Sequence, residues 1–345
     1  MAKTLDITVH QYFERETNRV RTEQLYGDRL IRFLYCRLRE QAPAIFKAVT
    51  GQRMSDFLAF LNYELFLSRR LSGNGRFLQA CGLDLRECHD HPTSLDTPKK
   101  IFERKIRYWQ CRPMPDDDRA VVSPADARVL PGSLSECSGL FVKGKFFDYE
   151  ELLGPQNENW HNVFRGGDFV VCRLTPEKYH YNHAPVSGTV VDFYTVDGIY
   201  HSCNPHAVIA LVTPFSKNRR VVTVIDTDVP GGTGVGLVAM IEVVALMIGG
   251  ITQCYSETEY RDPLPTRVGM FLRKGSPKSL YLPGSSTDIL LFQKERILFC
   301  DDLVRNLRRG DIRSRFSWAF GQPLAETDVK VRSLIARSGK KKETG

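Results

Sequence analysis

From Val121 onward the chain is strand-like, a succession of short runs rich in β-branched and apolar residues such as AVVSPADARVL, GDFVVCRL, HAPVSGTVVDFYTV, RVVTVIDT, VAMIEVVALMI and STDILLF. PG, DG, GG and KN pairs break them at short intervals. Runs this short leave no room for long helices, and closely spaced turns return each run beside the last. The pattern therefore predicts a mainly antiparallel β-rich domain. The longest apolar stretch, GVGLVAMIEVVALMIGG, is interrupted by Glu242. It falls short of the ~20 apolar residues a spanning helix needs, so it reads as a buried strand.

The first third has a different texture. Between Gly27 and Val49, apolar residues recur at Leu30, Ile31, Leu34, Leu38, Ile45 and Phe46, a helical spacing with arginines on the flanking faces. A second helical stretch is expected from Ser55 to Leu71, and a short helix across Ile101 to Trp109. The expected class is α+β. An N-terminal helical, membrane-associating region (1–96) packs on a catalytic domain (97–330), followed by a disordered basic tail (331–345).

Charge is placed unevenly. Of the net +8, residues 1–110 carry +6, with 19 Lys and Arg against 13 Asp and Glu. Basic amphipathic helices suit an anionic membrane surface, and no nucleic-acid motif accompanies the charge. The start MAKTLDITVHQYFERETNRV has charges where a signal peptide is apolar. The nine cysteines are scattered without a CxxC pair. Both features point to a reduced, cytoplasmic setting at the periphery of the cell membrane. The HDH of residues 89–91 has no further ligand cluster near it in sequence, so a polar loop rather than a metal site is expected.

Three fragments carry chemistry: SPADA with Asp126, KYHYNHAPVSG with His180 and His183, and LPGSSTDILLF with Ser285. An acid, a base and a hydroxyl, well separated in sequence, meet the needs of an Asp-His-Ser arrangement. The LPGSS stretch alone is a turn signal.

Read in order, these fragments resemble the phosphatidylserine decarboxylase family of pyruvoyl enzymes. SPADA is similar to its SPxDG element, Tyr179-His180-Tyr181-Asn182-His183 to its YHxxH element, and Leu282 to Ser286 to its self-cleavage motif. KGKFFDYEELLG, SCNPHAV, KGSPKSLYLPGSS and GQPLA add matches across roughly 97–330. Ala127 stands where the family has Gly, Tyr181-Asn182 fills the middle of YHxxH, and GSS replaces GST.

The resemblance implies self-cleavage between Gly284 and Ser285, giving a β chain of 1–284 and an α chain of 285–345. Glycine at 284 permits the bent backbone. His183 is expected to take the Ser285 proton, with Asp126 orienting its imidazole, and Ser286 or Thr287 to steady the oxyanion. His180 protonates or grips the substrate. Ser285 becomes a covalent pyruvoyl group, so no added cofactor and no metal are needed. The implied reaction converts phosphatidylserine to phosphatidylethanolamine and carbon dioxide. The rivals are the same chemistry on a soluble amino acid and a processing-dead binding relative. The family's partners are its own two chains and an anionic lipid surface, and a homodimer is compatible with them.

Overall fold

The computed structural model describes residues 9–25, 28–51, 83–138, 146–211, 213–245, 250–284 and 286–339. Its strands are β1 (Gln11–Glu14), β2 (Arg19–Thr22), β3 (Ala120–Val122), β4 (Ala127–Ser133), β5 (Asp168–Leu174), β6 (Tyr181–His183), β7 (Gly188–Val196) and β8 (Arg220–Asp226). They continue with β9 (Leu237–Val244), β10 (Ile251–Gln253), β11 (Phe271–Leu272), β12 (Pro277–Tyr281), β13 (Ser286–Phe292), β14 (Ile297–Phe299), β15 (Thr327–Val329) and β16 (Leu334–Ser338).

Ten of these make one sheet in the order β11-β7-β8-β9-β13-β5-β4-β15-β1-β2. Two three-stranded sheets, β10-β12-β6 and β14-β16-β3, accompany it. Every strand pairing in the three sheets is antiparallel except β1 with β15, which is parallel. The α+β class with a mainly antiparallel domain, expected from the turn spacing, is what forms.

Strand β13 lies inside the large sheet. Ser286 sits opposite Val244 of β9 and Leu174 of β5, and the register holds to Phe292, opposite Val238 and Asp168. Successive side chains of a strand point to opposite faces, and here both faces are buried. Ile289 and Leu291 join Ile241, Leu152, Phe164 and Phe316 in one core. Leu290 and Phe292 join Met240, Phe102, Tyr281 and Ile335 in the other. A strand covered on both sides reads as a continuous apolar run, which is why STDILLF and VAMIEVV show so little alternation.

The N-terminal region departs from expectation. Residues 11–22 form a β1–β2 hairpin, turning at Asn18 with φ 55°, and extend the edge of the large sheet. The helix expected from residue 27 begins at Asp28, passes through a π-helical turn at Phe33–Leu38, breaks at Ala42 (φ −143°) and resumes over Pro43–Val49. Proline clashes with a helical residue before it, so Ala42 leaves the helical region, with ψ 67°. The helix expected over 55–71 lies outside the described residues.

The helix expected across Ile101–Trp109 is split into Pro98–Phe102 and Tyr108–Cys111. Arg104 donates from Nη1 to the Ile101 carbonyl at 2.9 Å and ends the first piece. The tail expected to be disordered from 331 instead enters the fold as β16, which pairs with both β14 and β3. Its basic composition hid an LIARS strand. No helix among the described residues is long and apolar enough to cross a membrane.

Candidate active site

His183 ends β6, the edge strand of the β10-β12-β6 sheet, and its backbone N–H donates to the Pro124 carbonyl at 2.7 Å. SPADA and the histidine motif are thereby joined through the backbone. The His183 ring is fully buried and lies 4.8 Å from Tyr108, edge to face at 87°. Its Nδ1 is 2.8 Å from the carbonyl of Gly275. A carbonyl can only accept, so Nδ1 carries the proton and Nε2 keeps its lone pair. Tyr179 Oη meets Nε2 at 3.0 Å and Tyr260 Oη at 2.7 Å.

Burial lowers the proton affinity of His183, and nearby Arg332 lowers it further. The Gly275 carbonyl and the field of Asp126 oppose them, and the ring settles at about 3. A neutral imidazole with a free lone pair is the form a general base needs.

Asp126 is buried two residues beyond Pro124, but it makes no hydrogen bond to the imidazole. Its carboxylate takes Arg112 Nε at 3.0 Å and Nη2 at 2.7 Å, and the Val331 backbone N–H at 2.8 Å. Arg112 reaches on to Glu87, at 2.9 Å from each of its terminal nitrogens. Burial pushes the Asp126 carboxyl up, and the Arg112 guanidinium more than offsets this, holding it at about 2. Thus the orienting hydrogen bond on His183, expected from Asp126, comes from Gly275 in this structure. Asp126 acts on the ring through its charge.

His180 and His183 face different surroundings, as an extended segment requires. The His180 ring stacks on Phe102 at 3.5 Å and 21°. It is fully buried, and burial keeps it well below its usual value. Neither ring nitrogen finds a side-chain or backbone partner at hydrogen-bonding geometry among the described residues. The His180 carbonyl accepts from the Tyr281 N–H at 3.1 Å, tying the motif to the strand that precedes the LPGSS turn.

Ser285 lies outside the described residues, so its place is fixed only by its neighbours. Gly284 has φ 151°, in the region that favours glycine. Ser286 is fully buried, and its hydroxyl has no partner among the described residues. Further buried atoms without partners among the described residues are Asn182 Oδ1 and Asp288 Oδ2. Such orphans are rare in folded proteins. Asn182 Oδ1 lies on β6, and the Ser286 hydroxyl and Asp288 Oδ2 lie on β13; others, such as Thr223 Oγ1 and Asn306 Nδ2, lie elsewhere in the fold.

A buried polar network beneath these strands was not foreseen. Glu242 of β9, opposite Asp288 of β13, receives Lys278 Nζ at 2.7 Å, Gln253 Nε2 at 3.0 Å, Asn182 Nδ2 at 3.3 Å and the Ser279 hydroxyl. Asp288 accepts from Tyr281 Oη at 2.8 Å. Burial and the Glu242 charge push the Asp288 carboxyl well above its usual range. Glu242 stood out in the sequence as the single charge in an apolar run, and that was the available signal. Gly275 offered none beyond its place in KGSPK.

Elsewhere, ligand atoms of His10, Glu23 and Glu326 lie within 4.8 Å of one another. Arg173 donates to Glu23 at 2.6 Å and to Glu326 at 2.7 Å, and His10 bonds Glu326 at 2.8 Å. Arg173 bridges both carboxylates and Arg128 Nε lies 3.9 Å from Glu23, so the cluster reads as an ion-pair knot joining the N-terminal hairpin to the sheet. His89 and His91 are exposed on the loop at 88–97, as expected.

The sequence profile described as Phosphatidylserine decarboxylase matches residues 99–316. A protein of Fusobacterium nucleatum named phosphatidylserine decarboxylase proenzyme is 27% identical over 297 residues, covering 86% of this chain and 91% of the relative. Phosphatidylserine decarboxylase proenzyme 2 of Oryza sativa subsp. japonica is 31% identical over 231 residues, 66% of this chain and 34% of the relative. A Chlamydia trachomatis serovar L2 protein named phosphatidylserine decarboxylase proenzyme is 30% identical over 237 residues, 68% of this chain and 71% of the relative. Profile, relatives and the paired SPADA and histidine motifs agree, and the chain belongs to the phosphatidylserine decarboxylase family.

Proposed function

We propose that the chain is the precursor of a carboxy-lyase that converts phosphatidylserine to phosphatidylethanolamine and carbon dioxide after cutting itself between Gly284 and Ser285. The observation that carries this reading is the state of His183: buried, neutral, with Nδ1 fixed by Gly275 and Nε2 holding a lone pair. The Ser285 hydroxyl oxygen attacks the Gly284 carbonyl carbon while Nε2 takes its proton, and the carbon–nitrogen bond breaks with the nitrogen regaining a proton, leaving an ester. Elimination of the Gly284 carboxylate then cuts the chain to leave dehydroalanine at 285, and water replaces its nitrogen, lost as ammonia, to give the pyruvoyl carbonyl. Tyr179, which meets both Nε2 and Tyr260, turns to Tyr260 when Nε2 is in use.

The residues present fit a pyruvoyl group made from Ser285. Gly284 has a backbone that a β-carbon disfavours, and the Ser286 hydroxyl that follows is buried without a partner among the described residues. That group supplies a sink for the electron pair left when carbon dioxide departs. His180, whose ring nitrogens make no hydrogen bond of good geometry among the described residues, is the candidate to grip the substrate; burial, which keeps its proton affinity low, argues against a role as the acid. Phe33 and Ile45, both exposed on the first helical stretch, and the basic charge around them support docking on an anionic lipid surface.

A second reading of the nucleophile rests on Ser286, whose hydroxyl is buried without a partner among the described residues. It shares the chemistry and moves the cut by one residue. Under denaturing conditions purified protein should give two chains, and His183→Ala should give one. With phosphatidylserine in anionic liposomes the product should be phosphatidylethanolamine. A parent protein that stays whole, or one that decarboxylates a free amino acid and leaves the lipid untouched, contradicts the proposal.

A further inference from the structure

Glu242 and Lys278 form an ion pair with both side chains at zero exposure. A pair this deeply buried is a poor source of stability, because removing two charges from water costs about as much as their attraction returns. Well-packed apolar replacements are often neutral or stabilising. Its retention in the core therefore asks for another reason, and its partners supply one. Asn182, Ser279 and Gln253 come from three different strands, β6, β12 and β10, and all converge on the one carboxylate. Glu242 itself sits on β9, hydrogen-bonded in register to β13 immediately after the LPGSS turn.

Asn182 is the residue between the two histidines of the motif. Its Nδ2 donates to Glu242 Oε1 at 3.3 Å and to Ser279 Oγ at 3.1 Å. Side chains of β6 alternate in direction. The Asn182 side chain is thus the one on the short strand that can reach into the large sheet while its neighbour His183 turns the other way, to Gly275 and Tyr179. The link runs from the base, through the backbone to Asn182, to Glu242, across the β9–β13 ladder and so to the cut strand.

We infer that Glu242 is a positioning residue for self-cleavage, fixing the histidine strand over β13 through Asn182, with Lys278 present to keep its carboxylate charged and in place. The inference rests on the self-cleavage reading above. It predicts that the acceptor offered to Asn182, rather than the ion pair as such, sets the processing rate. A misplacement of the base by about 1 Å costs on the order of 100-fold in rate.

Two double variants separate the link from the charge. Glu242→Gln with Lys278→Met removes both charges and keeps an oxygen for Asn182. Glu242→Leu with Lys278→Met removes both charges and the oxygen. Precursor from cell-free synthesis is followed on denaturing gels, with melting temperature read alongside. The Gln pair should process within about 3-fold of the parent. The Leu pair should melt no lower than the Gln pair and process at least about 30-fold more slowly.

A Leu pair as fast as the parent overturns the inference, and so does equal slowing of both pairs. If the Leu pair does not fold, Asn182→Leu cuts the same link from its other end while leaving Glu242 its remaining three partners. Parent-like processing of that variant overturns it as well. Loss of processing in His183→Ala is the control: if that variant still cuts itself, the self-cleavage reading fails, whereas a fast Leu pair beside an inert His183→Ala sinks only the role of Glu242.

Discussion

The Nδ1 of His183 lies 2.8 Å from the carbonyl oxygen of Gly275, and this one contact decides which ring nitrogen is free. Gly275 can deliver its carbonyl because its backbone has φ +77° and because a β-carbon there would come to 2.5 Å from Met114 Sδ and 3.1 Å from Arg332 Nε. Gly275→Ala should therefore cost about 1–2 kcal/mol from the left-handed conformation alone, and processing should slow with it. Urea unfolding and the rate of chain cutting measure the two effects. Unchanged cutting in a folded Gly275→Ala protein contradicts the assignment of Gly275 as the group that orients the base.

The state of His183 also fixes a pH dependence. Its folded pKa is depressed to about 3, while the unfolded chain titrates near the usual 6.5. The unfolded state therefore binds more protons between those values, and stability falls as pH is lowered through that window and is full above it. In the folded precursor the base stays deprotonated throughout neutral and mildly acidic pH. Processing rates between about pH 5 and 8 should show no inflection near 6.5 from this group. Such an inflection, absent in His183→Gln controls of folding, contradicts a buried neutral base.

Asp126 has the opposite sign. Its folded pKa, about 2, lies below the usual carboxylate value, so its contribution is present above that value and is lost as pH falls through the folded one. Asp126→Asn leaves Arg112, itself buried, with Glu87 as its one acidic partner. The expected loss is about 3 kcal/mol, in the range for breaking a buried pair. Glu87→Gln, whose carboxylate is partly exposed, should cost less. Chemical denaturation of both variants checks the order, and the reverse order contradicts the clamp.

Cutting after residue 284 leaves the second chain with β13 still paired to both β5 and β9 along seven residues. It also carries β15 between β4 and β1, and β16 between β3 and β14. Strands so interleaved do not separate without unfolding the sheet. The processed protein should elute as one species in native buffer and resolve into two chains only in denaturant. Loss of the small chain on native gel filtration contradicts this topology.

Much of this was legible beforehand because it depended on local chemistry. Turn pairs at short intervals gave the antiparallel class, and SPADA, YHYNH and LPGSS named strands that the fold joins. The Pro124 carbonyl on the His183 N–H is the physical form of that joining. What stayed hidden depended on long-range contact. Gly275 is 92 positions from the ring it orients, and Lys278 is 36 from Glu242. The hairpin at 11–22 is too short and too polar to outweigh a helical neighbourhood, and its pairing partner β15 lies at the far end of the chain. LIARS looked like the start of a basic tail because its strand character appears only beside β3 and β14.

The mass of the small chain tests the central claim most directly. A fragment covering 285–345 whose first residue is a pyruvoyl group in place of serine is the predicted result. A fragment one residue shorter with the same group moves the nucleophile to Ser286 and keeps the chemistry. An active protein whose chain is whole, or whose residue 285 is an unmodified serine at a new terminus, contradicts the account.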